Sequence, residues 1–471
     1  MKRVLAFDFG ASSGRAMIAA LNSGKIEMSE IHRFPNDPVE VNGVLYWDVL
    51  RLLFEVKQAI VKAQNSGGFD AISIDTWGVD FGLLDKEGHL IQNPVHYRDV
   101  RTDGIMDEAF EIIPKEELYA RTGIQFLRFN TLFQLFYLKK YKPYLLEQAD
   151  KMLFMPDLFA CFLTGEKKTE YTIASTSQMI NAETSNWDRE LLDRMGIPPS
   201  ILTDICEPGT INGYLRDSIC EELGCKKVPV ISVCGHDTAS AVAAVPARDD
   251  DFIYISCGTW SLFGTEAKKP VINDAAYRFQ FTNEGGYGRT VRLLKNIMGL
   301  WLIQESRRQW QRKGTNLSFG EIMEQARQVP TGKFYIDCDY SEFDKPGNMP
   351  QKIARYCEEN SFPVPKTVGE VAMCIYESLA VKYKKTLDMI SELTGIKYNT
   401  INLIGGGANA ELLCQLTADK CGVSVIAGPI EATAIGNVAV ALIALGEIKD
   451  LKEARNIIAG SFDVKVYNPR Q

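Results

Sequence analysis

The sequence predicts an α/β protein of two domains, and three observations carry that reading. Strand-like and helix-like runs alternate in both halves, the 471 residues exceed what one hydrophobic core usually holds, and a strand–turn–strand pattern near the start returns midway. The first copy is Val4-Leu-Ala-Phe-Asp8-Phe-Gly10-Ala-Ser12-Ser13-Gly14-Arg15, an apolar strand that delivers one carboxylate into a small-residue turn. The second, weaker copy is Phe252-Ile-Tyr-Ile-Ser256-Cys-Gly258-Thr259-Trp260-Ser261. Turns of Gly, Ser and Thr let backbone N–H groups approach an anion without an intervening Cβ. The pair therefore suggests a duplicated core that grips phosphates from two sides, with Asp8 placed at a strand end to hold a metal ion or its water shell.

In chain order, strand patterns cover 3–9, 15–21 and 25–34, with Asn22-Ser-Gly24 as a hairpin turn between the last two. A helix pattern follows over 47–64, its apolar residues being Leu50, Leu53, Phe54, Val56 and Ile60. A buried strand at 71–75 ends in Thr76-Trp77-Gly78-Val79-Asp80, and 103–164 reads as mostly helical. A strand over 228–233 leads into Gly235-His236-Asp237-Thr238 and a small-residue helix. Pro246-Ala-Arg-Asp-Asp-Asp251 is a polar break, with Asp249-Asp250-Asp251 as a solvated turn. It sets the boundary between domains 1–245 and 246–471. Helix patterns then cover 299–312, 319–327, 351–359 and 368–393. The end of the chain carries Thr400-Ile-Asn-Leu-Ile404-Gly405-Gly406-Gly407, a helix to Cys421, a strand at 423–427 and a helix at 432–445.

Composition narrows the function. A net charge of −8 argues against nucleic acid and anionic membranes as partners. No run approaches the length of a bilayer span, and a carboxylate at position 8 comes too early for a signal peptide, so a cytoplasmic protein is expected. Eleven cysteines without a C-x-x-C and only four histidines point to reduced thiols and away from a zinc site.

The strongest candidate for chemistry is Gly235-His236-Asp237-Thr238, at the strand edge where α/β proteins usually bind ligands. There Asp237 could take a proton from an attacking hydroxyl, with His236 and Thr238 binding its neighbours. The alternative is that Asp237 simply caps the helix that follows. Asp75-Thr-Trp77-Gly78-Val-Asp80 is similar in character: Gly78 allows close approach, Trp77 offers a flat wall for a sugar, and Asp80 could bind hydroxyls. Thr282-Asn283-Glu284-Gly285-Gly286 and Lys295-Asn296-Ile-Met-Gly299 are further polar patches, each also readable as a loop or a helix start. Gly405-Gly406-Gly407, after a strand and before a helix, suits an anion as well as it suits a tight turn. No P-loop and no dinucleotide fingerprint is present. Gly10-Ala-Ser12-Ser13-Gly14 matches a hydrolase nucleophile elbow in letters, but that motif needs a helix after the turn, and here a second strand follows.

Taken together, Asp8-Phe-Gly10-Ala-Ser12-Ser13-Gly14-Arg15, Gly258-Thr259-Trp260 and Gly405-Gly406-Gly407 resemble the FGGY carbohydrate kinases, as do Leu163-Thr-Gly165, Ala174-Ser175 and Asn186-Trp187-Asp188. Asp75-Thr-Trp-Gly-Val-Asp-Phe81, Tyr97-Arg98-Asp99, Gly123-Ile-Gln-Phe126, His236-Asp-Thr-Ala-Ser-Ala241, Thr282-Asn-Glu-Gly-Gly286 and Leu294-Lys-Asn-Ile-Met-Gly-Leu-Trp301 are most similar to the members that phosphorylate L-rhamnulose. The resemblance runs over nearly the whole chain. It implies a two-domain actin-like ATPase fold with an RNase H-like core in each domain and the active-site cleft between them. It also implies transfer of the γ-phosphoryl group of ATP to the C1 hydroxyl of L-rhamnulose, with Mg²⁺, in L-rhamnose catabolism. Asp237 would be the proton acceptor, and Gly78, His236, Thr238 and Asn296 would contact the ketose. Ala11, Ser12, Ser13, Gly14, Arg15, Thr259, Gln304 and Gly406 would contact ATP, with Asp8 near the metal. The first domain would bind sugar and carry one phosphate hairpin; the second would carry the other and bind adenosine. A monomer or small homo-oligomer is expected. Some relatives pair cysteines near the terminal nucleotide-binding helix, whereas Thr417 stands between Cys414 and Cys421 here, so no disulfide is carried over. An actin-like regulator that binds ATP without phosphorylating a sugar is the alternative, disfavoured by the polar set Trp77, Asp80, His236 and Asn296.

Overall fold

A computed structural model describes residues 1–247, 249 and 251–470 of the chain; Arg248 and Asp250, in the polar break read at 246–251, lie outside the described residues. The chain forms two compact units. The first comprises residues 1–247, Ala267–Leu293 and Ala432–Ser461, and the second 251–266, Leu294–Glu431 and 462–470.

The first unit is built on strands β1 (Arg3–Phe9), β2 (Ser13–Asn22) and β3 (Lys25–Pro35), helix α1 (Val49–Asn65), and strands β4 (Ala71–Thr76), β5 (Thr210–Tyr214) and β6 (Pro229–Ser232), followed by helix α2 (Asp237–Ala243). Its sheet has the order β5-β6-β4-β1-β2-β3. β1, β2 and β3 form an antiparallel meander, while β4 runs parallel to β1 and β6 parallel to β4. The second unit is built on β7 (Ile253–Cys257), β8 (Trp260–Ala267), β9 (Val291–Met298, its first three residues falling in the first unit), α3 (Trp301–Arg312), α4 (Val368–Thr394), β10 (Thr400–Ile404), α5 (Glu411–Cys421) and β11 (Ser424–Ala427). Helices α6 (Ala432–Ala444) and α7 (Leu451–Ser461) belong to the first unit, and β12 (Lys465–Tyr467) closes the second sheet. That sheet runs β9-β8-β7-β10-β11-β12, with the short strand Thr282–Gly285 beyond β9. Here too an antiparallel hairpin, β7–β8, adjoins a parallel neighbour, β7–β10, and an antiparallel strand, β12, ends the sheet. The order third–second–first–fourth strand occurs in both sheets, β3-β2-β1-β4 and β9-β8-β7-β10, which is the duplicated core expected from the two hairpins; beyond it the outer two strands are exchanged in chain order.

Period-two and continuous apolar runs explain the strands. β1 is buried on both faces from Val4 to Phe9, as a strand covered by helices must be. Its residues Leu5, Phe7 and Phe9 join Ile72 and Ile74 of β4 in a core with Leu52, Val56 and Ile60 of α1. The apolar face of α1 differs from the sequence reading: Leu50 and Phe54 are 60% and 54% exposed, and Val49, Leu52, Ala59 and Ala63 are buried in their stead. The two polar patches at 282–286 and 295–299 are not loops; they are the strand Thr282–Gly285 and the end of β9. Helix α4 starts at a capping box in which Thr367 and Glu370 satisfy each other's backbone N–H groups.

Helix α6 returns late in the chain to cover the first sheet. Asn437 donates to the Phe7 carbonyl at 3.1 Å and to Asp75 Oδ2 at 2.7 Å, and accepts from Ser73 Oγ at 2.5 Å. One residue earlier, a Cβ on Gly436 would overlap the carbonyl oxygen of Ser240, so α2 and α6 meet backbone to backbone. Gly436→Ala is expected to cost about 2–4 kcal/mol through overpacking of that crossing. A lower urea midpoint at unchanged m-value would show it, and an unchanged midpoint would mean the helices do not approach so closely.

Candidate active site

In the first unit, the ends of β1, β4 and β6 bring together most of the residues singled out from sequence. Asp8 lies opposite Asp75 in the parallel pair β1–β4 and opposite Arg15 in the antiparallel pair β1–β2. Arg15 binds Asp8 Oδ2 through Nε at 3.0 Å and Nη2 at 2.7 Å. The intervening turn is fixed by its own backbone: Gly10 N–H donates to the Ser13 carbonyl, and Asn36 donates its side-chain amide to Gly10 O and its backbone N–H to Ser12 O. Ser12 itself is exposed at the tip. A Cβ on Gly14 would overlap the Phe34 ring, so this glycine is required by packing as well as by any ligand. β2 follows the turn as a strand, which removes the context a nucleophile elbow needs.

β6 ends next to β4, where Thr76 N–H donates to the Gly235 carbonyl at 2.9 Å. Gly235 N–H in turn donates to Glu170 Oε2 at 2.8 Å, and Glu170 also accepts from the backbone of Thr172 and Ile173 and the Thr172 hydroxyl. This buried carboxylate, which sequence reading did not single out, fixes the loop that presents His236 and Asp237. Asp237 is the first residue of α2, and its bonds to Thr238 N–H (2.5 Å) and the Thr238 hydroxyl (3.1 Å) both fall on Oδ1. His236 Nε2 lies 3.4 Å from the same oxygen. No other helix N–H is capped by the Asp237 side chain, so a capping role does not account for it. The side chain keeps 28% of its surface, and Oδ2 is left without these contacts. Burial raises the Asp237 carboxyl above its ordinary value, His236 pulls it down and Asp8 pushes it up.

Asp75 is fully enclosed. Burial first, and then the charge of Asp8, raise its pKa well above the carboxylate range, and its Oδ1 has no hydrogen-bond partner. Asp8 and Asp237 thus offer hard oxygen donors at adjoining strand ends. Among the described residues no three His, Cys, Asp or Glu side chains form a metal-ligand cluster. That donor set fits a hard cation such as Mg²⁺ that keeps most of its ligands as water and phosphate oxygen, with only one or two carboxylates.

Beyond β4, Val79 adopts φ of +65°, a left-handed conformation that a β-branched residue rarely takes. The strain is held by Thr176, whose hydroxyl accepts from Val79 N–H at 3.2 Å, and by Thr131, whose hydroxyl donates to Val79 O at 2.7 Å. A Cβ on Gly78 would lie 3.3 Å from the Thr176 side chain and 3.4 Å from His236 Nε2, so a glycine here keeps these groups uncrowded. Asp80 does not face ligand, contrary to the expectation that it binds hydroxyls. It is completely buried, and Oδ2 accepts from Trp47 Nε1 at 2.6 Å, Trp77 Nε1 at 3.1 Å and Tyr97 N–H at 3.1 Å, while Oδ1 accepts from Gln134 Nε2 at 3.1 Å. Burial pushes its pKa up to about 6 against the pull of those donors. The motif signal was sound, but the carboxylate holds two indoles rather than a sugar. Trp47 and Trp77 are held by it with ring centroids 4.0 Å apart and planes tilted by 35°.

In the second unit, the β7–β8 turn clamps the start of α3. Gly258 O accepts from Leu300 N–H at 2.9 Å, Thr259 O accepts from Gly299 N–H at 3.1 Å, and the Thr259 hydroxyl donates to Gln304 Oε1 at 3.4 Å. Gly405 takes φ of +81°, and a Cβ on Gly407 would overlap Cys257 Sγ, so both are glycine for conformational or steric reasons. Gly406 has neither constraint: its φ is ordinary and nothing lies where its Cβ would project. Thr259, Gln304 and Gly406 therefore cluster around the duplicated hairpin, while Asn296 lies on β9.

Two family models match the chain, the FGGY family of carbohydrate kinases N-terminal domain over residues 3–244 and the C-terminal domain over 253–445. A rhamnulokinase of Halalkalibacterium halodurans is 45% identical over 469 residues, covering 99% of both chains. A rhamnulokinase of Bacteroides thetaiotaomicron is 42% identical over 466 residues, covering 99% of this chain and 95% of that protein. Among solved structures, a ligand-bound xylulose kinase from Lactobacillus acidophilus superposes with a TM-score of 0.81 at 19% identity, covering 100% of this chain and 94% of the other. A Plasmodium falciparum glycerol kinase with ADP gives 0.80 at 14% identity over 100% and 94%. At those identities the structures establish the fold. No helix among the described residues is long and apolar enough to cross a membrane.

Asp80→Asn places an amide where three N–H groups converge on one oxygen. It is expected to destabilise the first unit by about 2–3 kcal/mol, the cost of an unsatisfied buried donor set. Denaturant unfolding followed by tryptophan fluorescence checks this; a stability change below about 0.5 kcal/mol would mean Asp80 does not hold the indoles.

Proposed function

The chain belongs to the FGGY family of carbohydrate kinases, and from that membership and the geometry above we propose that it transfers the γ-phosphoryl group of ATP to the C1 hydroxyl of L-rhamnulose, giving L-rhamnulose 1-phosphate and ADP. The observation that carries this reading is the Asp237 carboxylate. It sits at a strand end with Oδ1 committed to Thr238 and near His236, and Oδ2 remains free to accept a proton. As the C1 oxygen bonds to the γ-phosphorus, the hydroxyl proton passes to Oδ2 and the bond from phosphorus to the β–γ bridging oxygen breaks, releasing ADP.

The remaining residues take supporting parts. His236, Thr238, Gly78 and Asn296 contact the ketose, and the lack of a side chain at Gly78 keeps a Cβ from crowding Thr176 and His236 Nε2. Ala11, Ser12, Ser13, Gly14 and Arg15 bind ATP phosphates through the first turn, with Thr259, Gln304 and Gly406 assigned to ATP in the second unit. A bare Gly406, with neither strain nor neighbour to require it, supports close approach of a ligand there. Mg²⁺ would be held through Asp8, whose Oδ2 is already neutralised by Arg15, and would offset charge on the transferring phosphoryl group. A division into a sugar-binding domain, 1–245, and an adenosine-binding domain, 246–471, is supported by family models that end at 244 and begin at 253.

ADP release with ATP, Mg²⁺ and a panel of L-rhamnulose, L-fuculose, L-xylulose, D-xylulose and L-ribulose tests the substrate. Strong preference for L-rhamnulose is expected. Turnover of another ketose would move the substrate, and none at all would favour a nucleotide-binding regulator.

Asp237→Asn is expected to lower kcat by roughly 10²–10⁴-fold while sugar and ATP binding stay near the parent values. Near-parent turnover in that variant would end the assignment of the base. Because a base works only when ionised and the Asp237 pKa is raised, activity should fall on acidification at a pH above the ordinary aspartate value of 3.8. A kcat/KM profile flat down to that pH would contradict it.

A further inference from the structure

We propose that Arg292 is a positioning residue for the sugar-binding histidine: its guanidinium holds His236 as the Nε2–H tautomer, so that this nitrogen can only donate to the ligand. The inference rests on the reading of His236 as a sugar contact and extends it to a residue outside the sequence motifs. Arg292 lies on β9 with its side chain fully buried. Its Nε donates to Gly285 O at 2.8 Å, and its Nη2 reaches Glu284 Oε2 at 3.1 Å and His236 Nδ1 at 3.0 Å.

The donor–acceptor chemistry fixes the direction of that last bond. Guanidinium nitrogens have protons to give and no lone pair to offer, so Nδ1 must be the acceptor. A neutral imidazole with Nδ1 accepting carries its proton on Nε2. Nε2 is the nitrogen that lies 3.4 Å from Asp237 Oδ1, hence on the side of the carboxylate that keeps 28% of its surface, and Gly78 puts no Cβ against it.

Glu284 supplies the competing arrangement. Its Oε2 is 3.3 Å from His236 Nδ1, and a proton on Nδ1 would be drawn to it. Without Arg292 nothing would decide between the two ring nitrogens, since Glu284 lies on one side and Asp237 on the other. With Arg292, the carboxylate is already engaged by a cation that cannot release its proton. Burial alone would raise Glu284, but Arg292 and then His236 hold it below its ordinary value, so it stays ionised to anchor the arginine. The remaining nitrogen, Nη1, is buried without a hydrogen-bond partner, a cost of the kind proteins accept at functional positions.

If Arg292 served only to neutralise Glu284, the histidine tautomer would not depend on it, and that difference is measurable. In full-length protein labelled with ¹⁵N-histidine, the His236 signals are identified by their loss in His236→Asn. At about pH 8, above the ordinary histidine range, the wild-type ring is expected to be protonated on Nε2 alone, and Arg292→Met to give a mixture of tautomers. In kinetics, Arg292→Met should raise KM for L-rhamnulose about tenfold and leave KM for ATP within about twofold, the loss of one oriented hydrogen bond. Arg292→Lys, which retains a donor, should recover part of the sugar KM. A wild-type ring protonated on Nδ1 overturns the proposal, as does an unchanged tautomer in Arg292→Met. Should the methionine variant not fold, the wild-type spectrum and the lysine variant decide alone. An Nε2–H ring in a protein that phosphorylates no ketose would remove the functional reading and leave the tautomer assignment standing.

Discussion

Three carboxylates crowd the adjoining ends of β1, β4 and β6, and the first unit is arranged around keeping them from repelling one another. Unscreened by water, like charges at such positions cost several kcal/mol. Each is handled differently. Asp8 is paired with Arg15 from the next strand of the same hairpin. Asp75 has its pKa pushed upward by burial and then by Asp8, and its Oδ2 accepts from Asn437 of a helix that arrives more than 350 residues later. Asp237 is the most exposed of the three, keeping 28% of its side-chain surface, with Oδ2 outside its bonds to Thr238. The fold thereby leaves one ionisable carboxylate open in a position where a proton can be taken. Helix α6 meets this edge with an amide, which donates to Asp75 and accepts from Ser73 at once.

A second carboxylate network supports the same edge from behind. Glu170 takes four N–H or O–H donors, one of them the amide of Gly235, so the loop ahead of Asp237 is fixed by side-chain chemistry as well as by sheet pairing. Asp80 does the equivalent for Trp47 and Trp77, and the strained Val79 stands between Gly78 and Asp80. Strain in a β-branched residue persists only where surrounding bonds over-determine it, and here Thr131 and Thr176 do so. Buried acids in this unit are therefore mostly architectural, and their number says little about how many take part in chemistry.

Much of this was legible in the sequence. Strand boundaries at 3–9 and the helix 319–327 match the structure because their apolar periodicity is uninterrupted. The doubled hairpin revealed the duplicated core, since a small-residue turn after an apolar strand has few other readings. Less visible was anything that depends on which surface a later segment covers. Asn437 sits in an apolar small-residue helix with no local sign of its bond to Asp75, and the polar break near 246 says nothing about which sheet α6 rests on. Leu50 and Phe54 misled because the helix face that is buried is set by the sheet it covers, while apolar content alone marks several faces. The patches at 282–286 and 295–299 looked like loops because their polar residues outnumber the apolar alternation that marks a strand; at a site, polar groups displace that pattern.

The same displacement separates a sugar kinase from a protein that merely holds nucleotide. The phosphate and metal roles proposed for the hairpins and Asp8 would suffice for the latter. They would not require a fully buried arginine, an ionised glutamate and a histidine linked in one row on the strand ends, because such groups lose their hydration on folding and gain no more than they lose when paired with each other. A row of this kind is stabilising only indirectly, by holding one donor nitrogen in a fixed orientation. Its Nε2 end faces Gly78 and Asp237, where a hydroxylated ligand would meet a donor and an acceptor side by side. A hydroxyl group is the chemistry that uses both, giving its proton to the acceptor while a neighbouring oxygen accepts from the donor. The buried polar row therefore belongs with a polyhydroxy substrate, and the phosphate hairpins with the nucleotide that modifies it.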